Sequence, residues 1–91
     1  MHDPDLKNYL NHNDQLKIWP AKRQSQISVL IYLAEQFEDG KVYQEKEVND
    51  ILNKFHTFGD PALLRRELYE KKLLERKFDG SEYWKSIKSI Q

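Results

Sequence analysis

Residues 60–84 constrain this chain more than any other stretch. Asp60-Pro61 marks a helix start: an aspartate can cap the free N–H groups of a first turn, and proline suits a position whose N–H would have no partner. In Leu64-Arg65-Arg66-Glu67-Leu68 two leucines stand four residues apart on one helix face, with both arginines off it. A strand is then expected over Leu73 to Phe78, a tight turn at Asp79-Gly80, and a returning strand over Ser81 to Lys85. A basic helix that runs straight into a two-stranded ribbon has few partners it can pack against.

The upstream sequence supplies them. Ile27, Leu30, Ile31, Ala34 and Phe37 follow helical spacing, so a helix is expected from about Ala21 to Glu38, with Pro20 at its start and Gly40 after its end. Val29, Tyr32 and Leu33 lie outside that stripe, which leaves the helix apolar nearly all round. The expected lid is a short N-terminal helix with Pro4 in its first turn, Asp3 as its cap, and Leu6, Tyr9 and Leu10 on one side; a dimer contact is the alternative. Asn11 to Asp14 forms a turn, and Leu16 and Ile18 suggest a short entry strand. Lys41-Val42-Tyr43 reads as a very short strand. A second helix then carries Val48, Ile51, Leu52 and Phe55, starting from Gln44, a poor cap, and His56 to Gly59 forms the next turn.

Assembled, this order is α+β: a winged helix-turn-helix, with a three-helix core, a C-terminal β-hairpin wing and a short N-terminal helical extension. Residues 1–20 form the extension packing on the core, 21–85 the winged-helix domain, and 86–91 a tail carrying Ile87 and Ile90. Ninety-one residues suffice for one domain and a thin core.

The same segment holds the candidate binding residues. With Leu64 at the origin, Leu68 lies at about 40°, Lys72 at about 80°, Arg65 at about 100°, Tyr69 at about 140° and Arg66 at about 200° around the helix. That sector holds two arginines, a lysine and a tyrosine without a carboxylate. Arginine suits forked bonds to guanine edges or phosphates, and tyrosine adds a hydrogen bond or a stacking face. Lys22 and Arg23 near the start of the first long helix, and Lys77 and Lys85 beside the wing turn, are candidate phosphate contacts. The expected partner is double-stranded DNA.

Opposing features favour a protein-interaction or homodimerisation module instead. Fifteen Lys and Arg balance fifteen Asp and Glu, so a non-specific polyanion binder is disfavoured. Leu33 to Asp50 carries six acids against two lysines, and Glu45 and Glu47 would repel phosphate at the helix that crosses a DNA backbone. The arginines could equally pair with that acidic helix. One of Tyr83 and Trp84, which alternate across their strand, should be partly exposed and offers a further contact.

Catalysis is not expected. His2, His12 and His56 are scattered without ligand spacing, cysteine is absent, and the glycines (Gly40, Gly59, Gly80) form no phosphate loop. No metal or cofactor is called for, and no stretch reaches the length of a membrane span. The N-terminus has no signal-peptide pattern, so a cytoplasmic location is expected.

Several segments also carry a resemblance. Leu16-Lys17, Pro20-Ala21-Lys22-Arg23, Val29-Leu30 with Tyr32-Leu33, Tyr43 with Glu45-Lys46-Glu47-Val48-Asn49, Ile51-Leu52, Phe55-His56, Asp60, Leu64-Arg65-Arg66-Glu67-Leu68 and Asp79-Gly80 with Tyr83-Trp84 stand in one order. Together they resemble the prokaryotic family termed domain of unknown function 2087, found in hypothetical proteins and attached to transcriptional activators. The resemblance implies a winged-helix-like domain associated with transcription regulation, and it implies no ligand. This chain departs from the family pattern at Asn13-Asp14, at Gln44 in place of a Thr or Ser cap, and at Phe58-Gly59, which lengthen the turn before the third helix.

Overall fold

Helix α1 (Arg23–Ala34) organises the chain, and its apolar character on all sides dictates how. The computed structural model describes residues 4–86; the expected cap Asp3 and the tail residues Ile87 and Ile90 lie outside the described residues. The buried sector of α1 differs from the expected stripe. Val29, Leu30, Leu33 and Ala34 are buried, whereas Ile27 and Ile31 are only half-buried. The core thus centres on Leu33, at about 240° from Ile27. A helix with apolar residues on every side has no phase of its own, so its neighbours choose the face.

One neighbour is the N-terminal segment. Pro4–Tyr9 forms a 3₁₀ helix that packs on α1 and buries Leu6, with Tyr9 and Leu10 against the core. The expected entry strand reduces to isolated bridges: Leu16 pairs with Leu10 on one side and with His56 on the other. Leu16 is fully buried, and its N–H donates to the Phe55 carbonyl at 2.7 Å while its carbonyl accepts from Thr57 N–H at 3.0 Å. Helix α1 itself begins later than expected. Pro20 precedes it and is buried, its carbonyl accepting from the Gln26 side chain at 2.8 Å.

After α1 the chain turns through Gly40 into strand β1 (Val42–Gln44), then directly into helix α2 (Glu45–Lys54). The weak cap Gln44 is compensated by Glu47, whose carboxylate accepts the Gln44 N–H at 2.8 Å. Helix α2 buries Val48 and Leu52. Helix α3 (Pro61–Glu70) buries Leu64 and Leu68 against α1 and α2. Strands β2 (Leu74–Arg76) and β3 (Glu82–Lys85) complete a three-stranded antiparallel sheet of order β1-β3-β2. Tyr43, Tyr83 and Arg76 share one sheet face by register, and Val42, Trp84 and Glu75 share the other. Tyr43 and Tyr83 are buried, with Phe37 edge-on to Tyr43 at 5.2 Å. The protein is thus an α+β fold of three helices and one small sheet among the described residues. No helix among them is long and apolar enough to cross a membrane.

Candidate functional site

Helix α3 is built as its sequence demands at the start and against expectation at the end. Asp60 accepts from Leu63 N–H at 3.1 Å, with Pro61 in the first turn. Behind the cap, the buried His56 ring takes the Asp60 N–H on Nε2 at 2.9 Å and donates from Nδ1 to the Leu52 carbonyl at 2.7 Å. That pair of bonds selects the neutral Nδ1–H tautomer and joins the end of α2 to the start of α3. At the other end Lys72 takes φ +62°, the Lys72 N–H donates to Tyr69 O at 3.0 Å and the Leu73 N–H to Leu68 O at 2.9 Å. This is a Schellman stop with lysine where glycine is usual. The helical projection that put Lys72 beside Arg65 is therefore corrected: α3 ends at Glu70, and Lys72 leaves the turn on its own, exposed.

Arg65 is not free for a ligand. Its guanidinium donates to the Asn49 side chain and lies 3.7 Å from the Glu45 carboxylate, and its side chain is only 19% exposed. The sector that looked free of carboxylates on α3 receives one from α2. Lys71 is likewise held by Glu67 at 2.9 Å. What α3 does present is Ala62, Arg66, Tyr69 and Glu70, all exposed and spaced as one helical stripe, so a carboxylate stands one turn from the arginine. Arg66 makes no ion pair among the described residues.

The hairpin extends that stripe. The Arg76 guanidinium stacks over the Tyr69 ring, 4.5 Å from its centroid, so strand β2 and helix α3 form one surface. Between them lies an open groove of about 540 Å³ lined by Tyr69, Glu70, Lys72, Leu74, Glu75, Arg76 and Ser86. Lys77 is exposed and 3.4 Å from Glu82. Lys85 points elsewhere: it is 21% exposed and pairs with Asp39, 3.2 Å away in the turn after α1. Lys22 and Arg23 are exposed at the start of α1 with no ion pair among the described residues. The structure thus brings Arg66, Tyr69 and Lys72 to one region, removes Arg65 and Lys85 into internal pairs, and leaves Lys22, Arg23 and Lys77 at the surface.

One partly exposed aromatic was expected from strand β3, and Trp84 is that residue, although an aromatic outside the strand is far more exposed. Tyr83 is buried and Trp84 half-buried, whereas Phe78 at the hairpin tip is 99% exposed. The expected strand ran through Phe78, but β2 stops at Arg76, and Phe78 falls in a five-residue connection. Hydrogen bonds close that connection into a turn. Lys77 N–H donates to Glu82 O, Gly80 N–H to Lys77 O, and Ser81 N–H to the Asp79 carboxylate, each at 2.9 Å. Bonds from the Ser81 side chain and backbone hold the Asp79 carboxyl below the usual carboxylate range. Gly80 has φ +77°, and a β-carbon there would come within 3.0 Å of the Arg76 guanidinium.

The family described as "uncharacterized protein conserved in bacteria", domain of unknown function 2087, matches residues 15–85. The chain belongs to that family. The match begins beside Leu16, which stitches the N-terminal segment to the α2–α3 turn, and ends with strand β3. No curated protein and no solved structure matches the chain.

In this DUF2087 domain, Arg76 and Phe78 are the surface residues that reading the sequence missed. Arg76 left a faint signal, as a third arginine ten residues after Arg66, but its stacking on Tyr69 depends on where β2 lands. No group of three His, Cys, Asp or Glu side chains among the described residues could hold a metal ion.

Proposed function

We propose that this chain is a winged-helix regulatory domain that binds double-stranded DNA, with α3 as the helix laid in the major groove and the β2–β3 hairpin as its wing. The supporting observation is the joined surface of α3 and β2: the exposed stripe Ala62, Arg66, Tyr69 and Glu70 continues into Arg76 through the 4.5 Å stack on Tyr69. Arg66 reaches base edges or phosphate, Tyr69 and Arg76 form a planar contact, and Lys72 meets a phosphate at the helix end. Lys22 and Arg23 add backbone contacts, and Lys77, shared with Glu82, adds only a weak one. Arg65 serves this site from behind, by setting the angle of α3 on α2, and Lys85 anchors the wing's base through Asp39. In this reading the domain acts in transcription regulation and carries no catalysis.

Titration of a labelled duplex at low salt tests it. Binding should weaken in Arg66→Ala and its dependence on salt should fall by about one counterion. A domain that ignores duplex DNA at low salt would sink the reading.

A second reading, a protein-interaction or homodimerisation module, draws on one specific observation. Glu45 neutralises Arg65, and Glu45 and Glu47 stay exposed on the first turn of α2, the turn that would lie along a DNA backbone. Sedimentation at two concentrations tests the homodimer form, which fails if the domain stays monomeric at high concentration.

A further inference from the structure

We propose that Phe78 is an apolar wedge that enters a base step in the minor groove beside the site read by α3. The inference rests on the DNA-binding reading above and adds a contact of a different physical kind. Phe78 is 99% exposed, the most exposed of the large apolar side chains among the described residues. A phenylalanine in free solvent forfeits the burial that normally stabilises one. What such a side chain can do is bury itself against something else.

The tip is suited to present it. Three 2.9 Å hydrogen bonds close the Lys77–Ser81 connection around Phe78, so the ring is offered from an ordered turn and little backbone freedom is lost on insertion. The turn is also tied to the reading helix. Gly80 passes against Arg76, and Arg76 lies on Tyr69 of α3. Docking of α3 therefore carries the tip to a fixed place on the duplex.

Charge decides between a phosphate clamp and a wedge. From Glu75 to Lys85 the hairpin carries three cations and three acids, and Lys77 is already paired with Glu82. The hairpin has little net attraction for phosphate. Its distinctive offering is an uncharged aromatic ring, and apolar rings inserted between base pairs partly unstack a step and bend the duplex. A neutral domain gains affinity this way without releasing further counterions.

The experiment compares the wild type, Phe78→Ala, Phe78→Leu and Arg66→Ala on a short A·T-rich duplex that carries 2-aminopurine, a base that brightens when unstacked. Because Phe78 touches little of its own protein, Phe78→Ala should keep the wild-type unfolding midpoint. It should bind about tenfold more weakly, the scale of losing one aromatic–base contact, with an unchanged salt slope and no rise in 2-aminopurine fluorescence at saturation. Phe78→Leu should retain part of the rise. Arg66→Ala should lower the salt slope and keep the rise when saturated. Wild-type affinity and brightening in Phe78→Ala would overturn the wedge and leave DNA binding by α3 intact. Failure of the wild type to bind the duplex would remove both. Loss of self-association in Phe78→Ala with unchanged duplex affinity would make the tip a protein contact, and the wedge would again fall.

Discussion

Arg65 on α3 donates to the Asn49 side chain and lies 3.7 Å from the Glu45 carboxylate on α2, so an arginine in the centre of the basic segment fastens two helices. Only about a fifth of its side chain meets solvent, and Glu45 is half-exposed. The ion pair itself is therefore worth little, whereas the charged hydrogen bond to Asn49 is worth more. Arg65→Ala should cost about 1.5–3 kcal/mol, read as a lower urea midpoint with the m-value unchanged. Glu45→Gln should cost under ~1 kcal/mol in the same measurement. Equal losses from the two would mean that the carboxylate, and not Asn49, anchors the arginine.

His56 carries the turn between the helices by accepting one backbone N–H and donating to one backbone carbonyl. His56→Ala strands the Asp60 N–H just where α3 is capped, with a cost of about 1–3 kcal/mol for the unsatisfied group before any loss of packing against Phe58. Equilibrium unfolding measures the loss. A nitrogen-15 spectrum of the imidazole at neutral pH should show Nδ1 protonated and Nε2 bare; the opposite tautomer would contradict the bond from Asp60.

Lys72 stands in left-handed backbone that glycine occupies at no steric cost. Lys72→Gly should therefore raise stability by about 0.5–1 kcal/mol. Under the DNA-binding proposal the same substitution should weaken duplex binding and lower its salt slope. Opposite signs in the two assays separate the residue's backbone duty from its surface duty. A destabilised Lys72→Gly would show that the lysine side chain contributes packing.

Asp79 holds the hairpin tip through Ser81, and its carboxyl sits below the ordinary carboxylate range because the Ser81 side chain and N–H bond the charged form. The sign follows from linkage: a depressed folded-state value gives support that is present above the unfolded value and is lost as pH falls through the folded one. The Ser81 amide resonance should hold steady through mildly acidic pH and shift only below the normal aspartate range. Asp79→Ala should loosen the tip already at neutral pH, seen as a lower protection factor for the Ser81 amide. A Ser81 shift centred on the ordinary aspartate value would remove the claim.

Local chemistry in the sequence was enough to locate most elements. Asp60 and Pro61 announce the start of α3, Asp79-Gly80 announces the hairpin, and Val48 and Leu52 mark the buried side of α2. The site was read less well, for reasons that sit outside any one helix. A projection of α3 shows which residues share its sectors, but Glu45 and Asn49 reach Arg65 from another element. The acidic character of α2 was the available hint. Lys71 and Lys72 are good helix formers, so nothing local stopped the projection at Glu70; Leu73 turning into the core did. Strand β2 ends at Arg76 because the turn closes with Lys77 N–H on Glu82 O, which makes Phe78 a loop-tip residue and not a strand residue.

The strand order gives the chain a sequence of assembly. Strand β3 is the last of the three along the chain and the middle one in the sheet, hydrogen-bonded to β1 on one side and β2 on the other. Until residues 82–85 arrive, β1 and β2 have no partner in common and Tyr43 has no buried tyrosine opposite it. A ribosome that has made the three helices has therefore made a partly closed protein whose sheet waits on a final four-residue insertion. Closure of the helical core and completion of the hairpin then become a single late event, and any nascent-chain arrest before that point would leave two strand edges open to the wrong neighbours.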